Sequence, residues 1–358
     1  MEMKSQRGIH RVSPACTIPD LAAQITAALV GTGPALGIGE VRSTIAPSNI
    51  ALVIGTSGTT GLSKEVAFTS AALLASARSS NTYLQAKPGQ QWSLFLPLTH
   101  IAAVNVIIRS MELGTLPIDL REHEGEYPKV DFTSIVPTQL FRALNSDDRL
   151  LHHLQSAQAV LVGGAALSST LRKQAEAAGI KVVETYGMTE TSGGCIYNGQ
   201  AIDGVEYSIN GKGLVQIRGA VMSQTYLNAP ELYQLSDGWF VTNDLGEVID
   251  GKLGILGRAD DVIISGGENI SLTGIEATLS IRYPEIEFAA FAVNDIQWGH
   301  ALHLAVVGDI SESEIVHYLE AALGAASKPK GIHNLESLPL LGIGKVDRIA
   351  LAKMVENE

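Results

Sequence analysis

The sequence has 358 residues, enough for two or three domains of about 150 residues each. Hydrophobic residues make up 46% of it and the formal net charge is −12. Since no block of basic residues interrupts this acidic background, nucleic acid and anionic membranes are excluded as expected partners.

Two cysteines, Cys16 and Cys195, are too far apart in the chain to suggest a disulfide framework or a metal site. We interpret Cys195 as a small packed side chain and expect a reducing, cytoplasmic setting. The N-terminus lacks the apolar core of a signal peptide, and no run of about 18 apolar residues predicts a membrane span.

The first 49 residues carry weak patterns. They predict a short helix over 21–29 and a glycine-rich loop over 31–39. We therefore expect a small preamble before the first clear strand, the apolar run 50–54.

Strand and helix patterns alternate over the next 135 residues or so. Strands are predicted at 92–98, 115–120, 132–136, 159–162 and 180–185, and helices at 70–84, 101–113, from Pro137 onward and at 167–178. The alternation predicts a largely parallel α/β sheet with helices on both faces. Ligands of such sheets lie beyond the carboxyl ends of the strands. The loops at 55–64, 97–100, 163–166 and 186–190 are therefore expected to converge on one cleft.

The pattern changes after Gly199. Short strands separated by Gly and Asn turns, at 205–209, 214–217, 239–242 and 253–256, predict a small antiparallel β subdomain. From about residue 260 onward, the pattern predicts a compact α+β unit. We accordingly expect an N-terminal domain over 1–259 and a C-terminal domain over 260–358.

A tract of Gly, Thr and Ser follows the strand at 50–54 and ends in Lys64. Glycines let backbone amides approach a ligand closely, and hydroxyls with one lysine suit oxyanions. The tract therefore predicts a phosphate-binding loop. Its spacing differs from the P-loop of NTPases, because two residues separate Gly61 from Lys64 and Glu65 follows the lysine.

Six motifs in order resemble the adenylate-forming superfamily of acyl-CoA synthetases, luciferases and adenylation domains. They are the tract 56–64, the segment YGMTE at 186–190, GWFVTNDLG at 238–246, GRADD at 257–261, SGGENI at 265–270 and GKVDR at 344–348. The resemblance runs from about residue 50 to the end of the chain. It implies activation of a carboxylate by ATP, followed by transfer of the acyl group to a thiol such as that of CoA.

The resemblance also implies roles for single residues. The ATP-binding residues would be Thr56, Ser57, Gly58, Thr59, Thr60, Gly61, Lys64, Gly163, Gly164, Ala165, Tyr186, Gly187, Asp244 and Arg258. Within this set the tract holds the β- and γ-phosphates, Asp244 the ribose hydroxyls and Arg258 the ribose–phosphate side. Glu190 would hold Mg²⁺ and Thr189 would contact the α-phosphate.

The same resemblance assigns the reacting end of the site. Lys345 would bridge the incoming carboxylate and the α-phosphate, and His100 would contact the acyl substrate. Asp260 would be the hinge between two arrangements of the C-terminal domain, one for each chemical step. In the second arrangement Gly266 and Gly267 would line the thiol channel.

The sequence departs from the superfamily pattern in four respects, one of which is Leu272 and Gly274 in place of the usual proline and glutamate. Ser63 and Glu65 stand where proline and glycine are usual, so we expect a less rigid loop. Asn243 stands in place of a glycine. Most members carry a long α/β segment before the phosphate loop, and its absence is expected to leave apolar surface that a homodimer or another partner covers.

The segment 186–199, the following Asp203-Gly204-Val205 and the ending GIGKVDR resemble the short o-succinylbenzoate–CoA ligases of menaquinone synthesis. That resemblance implies an aromatic acid with a second carboxylate, whose ring would lie beside Ser192, Gly193 and Gly194. Arg109 is a candidate for the second carboxylate, although it could equally pair with a structural acid. The alternatives are another aryl- or acyl-CoA ligase, or a nucleotide-binding interaction protein without catalysis.

Overall fold

A computed structural model describes residues 5–13, 15–56, 63–265, 267–296, 298–340 and 346–356, except for the side chain of Asp260. Its strands are β1 Gln6–Arg11, β2 Ala35–Ile38, β3 Ile45–Pro47, β4 Ile50–Thr56, β5 Lys64–Thr69, β6 Trp92–Leu94, β7 Ile118–Asp119, β8 Phe132–Ile135, β9 Ala159–Val162, β10 Val182–Met188, β11 Gly193–Tyr197, β12 Gln200–Ala201, β13 Val205–Ile209, β14 Leu214–Gly219, β15 Thr225–Tyr226, β16 Leu235–Ser236, β17 Trp239–Ile249, β18 Lys252–Arg258, β19 Val262–Ser265, β20 Glu268–Ser271, β21 Glu287–Asp295, β22 Gly299–Val307 and β23 Gly331–Asn334.

The helices are α1 Ile18–Leu29, α2 Ser70–Tyr83, α3 Ile101–Glu112, α4 Pro137–Asn145, α5 Asp148–Ser156, α6 Ser169–Ala177, α7 Leu272–Arg282, α8 Glu312–Leu323 and α9 Arg348–Glu356. Within the described ranges, none of these helices has the length and apolar character needed to cross a membrane.

The first sheet has the strand order β15-β5-β4-β2-β1-β3. Its centre, β1-β2-β4, is parallel, whereas β3, β5 and β15 pair antiparallel. The expectation that the first 49 residues form only a preamble is wrong, because they supply three strands and α1 to this sheet. The expected loop over 31–39 contains β2, whose four residues are all buried. A strand this short, with a glycine inside it, has no periodicity that the sequence pattern could reveal.

The second sheet has the order β12-β11-β10-β9-β8-β6-β7, parallel from β7 to β10 and antiparallel at β11 and β12. The parallel α/β class is therefore confirmed, but the strands are divided between two sheets rather than one. Helix α3 packs against α1 and α2, and most of its residues are buried. It is apolar on nearly all sides, as expected for a helix enclosed in a core.

Local signals explain where these helices begin. The hydroxyls of Thr17 and Thr69 accept hydrogen bonds from the first-turn amides of Asp20 and Ala72, at 3.3 and 3.2 Å. Pro137 opens α4, where its missing N–H has no cost. The core shared by α1, α2 and α3 includes Trp92 from the second sheet and Phe68 from the first.

The third sheet is antiparallel, with the order β13-β14-β17-β16 and with β18 on β17, which confirms the expected β subdomain. The last sheet, β20-β19-β22-β21 with β23 parallel to β22, packs with α7, α8 and α9 as the expected α+β unit. A domain boundary between residues 259 and 260 stays a prediction.

Candidate active site

The phosphate tract joins β4 to β5 as a hairpin. Thr56 ends β4 and pairs with Lys64, the first residue of β5, and its hydroxyl donates to the Lys64 carbonyl at 3.3 Å. Ser57, Gly58, Thr59, Thr60 and Gly61 lie outside the described residues.

Glu65, the departure next to this lysine, is 1% exposed. Its carboxylate accepts from the amides of Arg42 and Ser43, at 2.6 and 3.1 Å. The side chain therefore ties the base of the hairpin to the segment that follows β2.

The Lys64 ammonium lies over the ring of Tyr226, with Nζ 4.8 Å from the ring centre. The Tyr226 hydroxyl donates to Oε1 of Glu190 at 2.6 Å, and the backbone amide of Ser223 donates to the Glu190 carbonyl at 2.7 Å. A cation and a carboxylate from different parts of the chain thus contact the same tyrosine, the cation at the face of its ring and the carboxylate at its hydroxyl.

A second group lies where β10 approaches β17 and β18. The Tyr186 hydroxyl donates to Oδ2 of Asp244 at 2.6 Å. Arg258, directly opposite Asp244 in the ladder, donates from Nη1 to Oδ1 at 3.3 Å. Burial, reinforced by the charge of Asp244, raises the pKa of the Tyr186 phenol, so the hydroxyl remains a donor.

The end of β10 connects the two groups. Tyr186 lies on the strand, and Glu190 lies in the 3₁₀ turn Thr189–Thr191 that follows it. The register slips between Tyr186 and Gly187, where Gly187 pairs with Gly194. Lys64, Glu190, Asp244 and Arg258 therefore lie in one region of the fold, held by Tyr226 and Tyr186.

The glycines after β9 border the same region. Gly163 packs against Thr185, because a Cβ at Gly163 would lie 3.0 Å from the Thr185 carbonyl oxygen. Gly164 has a φ of +84°, and both Gly164 and Ala165 are exposed. Two of the three residues that the superfamily resemblance assigns to ATP binding in this loop are thus exposed to solvent.

His100 is the N-cap residue of α3 and is half-buried. The hairpin lies close to it, since a Cβ on Gly39 would be 3.2 Å from the carbonyl oxygen of Gly55 and 3.4 Å from that of Thr99. This close approach brings the end of β4 and the loop before α3 together around Gly39.

Ser192 does not present its side chain to this region. It is fully buried with a φ of +53°, and its hydroxyl donates to the Val221 carbonyl at 2.6 Å. Its own carbonyl accepts from the Asn105 amide and from the Ser76 hydroxyl. Any contact of Ser192, Gly193 and Gly194 with a substrate ring is therefore through the main chain.

Several predicted site residues of the C-terminal unit lie outside the part of the chain that the structure describes. Lys345, Gly266 and the side chain of Asp260 lie outside the described residues. Gly267 is exposed, and apart from its chain neighbours no described atom lies within 4 Å of a Cβ placed on it.

The carboxylate of Glu190 is chemically suited to bind a magnesium ion. One oxygen is held by Tyr226, and in the described part of the chain no group hydrogen-bonds to Oε2. No cluster of three or more metal-binding side chains occurs among the described residues. Mg²⁺ is commonly bound by one or two carboxylates together with substrate phosphates and waters, so a single carboxylate is sufficient here.

Cys195 takes no part in this chemistry. It is 0% exposed, and burial raises the pKa of its thiol to about 12. A protonated, enclosed thiol is inert as a nucleophile.

Sequence reasoning missed Tyr226 and Asn105. Tyr226 lies on a two-residue strand, and Asn105 lies in an apolar helix with its side chain 1% exposed. The polar character of Asn105 at a buried helix position was the one available signal, because buried polar groups need partners.

A lysine, two carboxylates and an arginine grouped in an α/β fold are residue types that suit the phosphates and the ribose of a nucleotide. A sequence profile of the family described as AMP-binding enzyme matches residues 9–225. The chain belongs to this family.

A relative from Mycobacterium tuberculosis (strain CDC 1551 / Oshkosh), named probable 2-succinylbenzoate–CoA ligase, is 37% identical, over 87% of this chain and 86% of its own. Escherichia coli MenE, solved with an analogue of OSB-AMS, superposes with a TM-score of 0.70 at 26% identity, over 97% of this chain and 82% of its own. MenE from Bacillus subtilis, solved with the acyl-adenylate OSB-AMP, has a TM-score of 0.73 at 23% identity, over 92% and 80%.

Proposed function

We propose that the chain is an ATP-dependent acid–thiol ligase that converts 2-succinylbenzoate to its acyl-adenylate and then to its CoA thioester. The observation that carries the proposal is the pair of contacts at the end of β10, Tyr226–Glu190 and Tyr186–Asp244, which join four charged groups into one site. The relatives named 2-succinylbenzoate–CoA ligase support the choice of acid.

In the first step the site positions ATP for in-line attack by the carboxylate. Asp244, held by Tyr186 and Arg258, keeps further lone pairs for the ribose hydroxyls. Lys64 lies at the phosphate end with Glu190, whose free oxygen would bind magnesium, and the metal would supply charge neutralisation at the phosphates. Such catalysis depends on positioning and on electrostatic stabilisation of the charge that develops at phosphorus.

Arg109 is the proposed partner of the second carboxylate of the substrate. It is 4% exposed, and its Nη2 donates to the Tyr197 hydroxyl at 3.0 Å. Its guanidinium lies over Trp92, 5.3 Å from the ring centre, and its buried Nε has no hydrogen-bond partner among the described residues. No salt bridge joins it to an acid in the described ranges, so the structural-acid alternative has no support there. A buried cation without a carboxylate is costly unless a ligand neutralises it.

The second step is proposed from the superfamily resemblance. Lys345 acts in adenylation, the hinge at Asp260 then reorients residues 260–358, and Gly266 with Gly267 forms the channel for the CoA thiol. We also propose a homodimer. The edge strand β3 supports it, because Ile45 there is 53% exposed. A monomer by light scattering at micromolar concentration would contradict that proposal.

The test is incubation with 2-succinylbenzoate, ATP, Mg²⁺ and CoA, with AMP and thioester measured by mass spectrometry. We expect both products with 2-succinylbenzoate and little of either with benzoate or malonate. A different preferred acid in a wider panel would indicate another acyl-CoA ligase. ATP binding without pyrophosphate release for any acid would indicate a nucleotide-binding interaction protein.

Lys345→Ala separates the two chemical steps. We expect it to abolish pyrophosphate release but to spare thioester formation from a pre-made acyl-adenylate, since the lysine is needed only in the first arrangement. Equal loss of both half-reactions in a folded variant would contradict the two-arrangement scheme.

A further inference from the structure

Tyr226 is fixed by backbone hydrogen bonds on both sides. Strand β15 pairs with β5 so that Tyr226 lies opposite Val66. The amides of Gln224 and Leu227 also donate to carbonyls of β5, each at 2.8 Å. Since alternate residues of a strand share a face, Lys64 lies diagonally across from Tyr226.

Asn228 extends this attachment to the arm of the phosphate hairpin. Its Oδ1 accepts from the Glu65 amide at 2.9 Å, and its Nδ2 donates to the Ser63 carbonyl at 2.6 Å. The segment that carries Tyr226 is therefore bonded to Ser63, inside the phosphate tract, and to Glu65, the residue directly after it.

The Tyr226 side chain is oriented as firmly as its backbone. The residue is 2% exposed, and its ring meets Tyr233 edge-on with centres 5.1 Å apart. A phenol that donates to a carboxylate gains electron density in its ring, and a richer ring attracts an ammonium more strongly.

We propose that Tyr226 is a positioning residue that holds the Glu190 carboxylate and the Lys64 ammonium at a fixed separation around the metal–phosphate end of ATP. This inference rests on the proposed function, in which Glu190 binds magnesium. By occupying Oε1, the hydroxyl turns Oε2 toward the ligand, as hydrogen bonds to metal-binding groups commonly do. One neutral ring thereby couples the phosphate hairpin to the metal carboxylate.

Tyr226→Phe separates the two contacts, because it keeps the ring beneath Lys64 and removes only the hydroxyl. The measurement is the dissociation constant of ATP in excess Mg²⁺ and in EDTA, without any acid, so that no turnover occurs. We expect Tyr226→Phe to reduce the metal-dependent gain in ATP affinity about tenfold, as loss of a hydrogen bond to a metal ligand typically does. Affinity in EDTA should change less than threefold.

Tyr233→Phe is the matched control. It removes a half-buried hydroxyl that donates to the Ser223 carbonyl at 2.5 Å, and no hydrogen bond within the described residues joins this hydroxyl to the Glu190 side chain. We expect the metal-dependent gain to be unchanged in this variant, while the melting temperature falls about as much as in Tyr226→Phe. An equal loss of the gain in both variants would mean a merely structural role and would overturn the inference.

Glu190→Gln distinguishes this inference from the function beneath it. Loss of the metal-dependent gain in Glu190→Gln, with no change in Tyr226→Phe, would overturn the role of Tyr226 alone. An unchanged gain in Glu190→Gln would overturn the metal role of Glu190 and the inference with it. Loss in both, with Tyr233→Phe unaffected, supports the proposal.

Discussion

Gly187→Ala tests the segment of β10 that connects the Lys64–Glu190 pair to the Asp244–Arg258 pair. Gly187 lies at the register shift between β10 and β11, where the strands approach closely. A Cβ added there would lie 2.8 Å from the carbonyl carbon of Gly193 and 2.8 Å from Cα of Gly194. Both atoms belong to the main chain, so no side-chain rotation can relieve the overlap.

The size of the effect follows from that overlap. The Gly193 carbonyl oxygen would lie closer still. Carbon atoms in contact prefer about 3.5–4.0 Å, so β11 must move away by more than about 0.7 Å. Overpacking of this kind costs about 1–3 kcal/mol, which lowers the melting temperature by several degrees in a domain of this size. Because Tyr186 and Glu190 flank Gly187, a displacement approaching 1 Å should also reduce adenylation about 100-fold.

The assay is pyrophosphate release with 2-succinylbenzoate and ATP, together with thermal unfolding. Gly254→Ala in β18 is the matched control, since its Cβ would meet the Cγ of Glu247 at an ordinary 3.6 Å. We expect that variant to keep its activity. A Gly187→Ala protein with an unchanged melting temperature and adenylation within threefold of wild type would refute the reasoning.

Three further predictions follow from particular contacts. Asp244→Asn weakens the charge-assisted hydrogen bonds from Tyr186 and Arg258. It should raise the KM for ATP, measured by pyrophosphate release, about 10- to 100-fold. An unchanged KM would contradict the binding of the ribose by Asp244. Arg348→Gln breaks the mostly buried pair with Glu276, at 2.8 Å, and should lower the free energy of unfolding, measured in urea, by about 2 kcal/mol. Arg218→Gln breaks the exposed pair with Glu206 and should lower it by less than about 1 kcal/mol. Equal effects of the two substitutions would refute the distinction between buried and exposed pairs. Burial lowers the pKa of His153 below its usual 6.5, so the unfolded chain binds the extra proton as the pH falls through 6.5. This group should lower the free energy of unfolding of the wild-type protein below pH 6.5 by up to about 1.4 kcal/mol per pH unit. His153→Gln should lose this pH dependence, whereas His152→Gln, at an exposed position, should keep it. The same dependence of stability on pH in all three proteins would contradict the assignment to His153.

Much of the fold could be predicted from the sequence, because its elements carry local signals. Helix α2 is predicted over 70–84 and observed as Ser70–Tyr83, since a threonine cap and a run of small residues mark it without help from the tertiary structure. The antiparallel strands after Gly199 were similarly marked by glycine and asparagine turns. In these elements, apolar and polar residues alternate, or a capping residue stands at the end, within a few positions of the chain. Such short patterns can be recognised in the sequence alone.

The failures have the opposite cause. Strand β2 is four residues long and buried on both faces, so neither alternation nor length marks it. It is stabilised by its neighbours, pairing parallel to β1 on one side and to β4 on the other. The division of the strands into two sheets likewise depends on long-range packing, because the first two sheets share a core with α1, α2 and α3.

For the site, the sequence alone identified the residue types and the order of their motifs. Lys64, Glu190, Asp244 and Arg258 were chosen because cations and carboxylates in those motifs suit a nucleotide. Which groups touch was decided only by the tertiary structure. Tyr226 reaches Glu190 across 36 residues of chain, and Tyr186 reaches Asp244 across 58. A hydrogen bond depends on distance in space, and no local pattern encodes the distance between segments that are brought together only when the sheets pack.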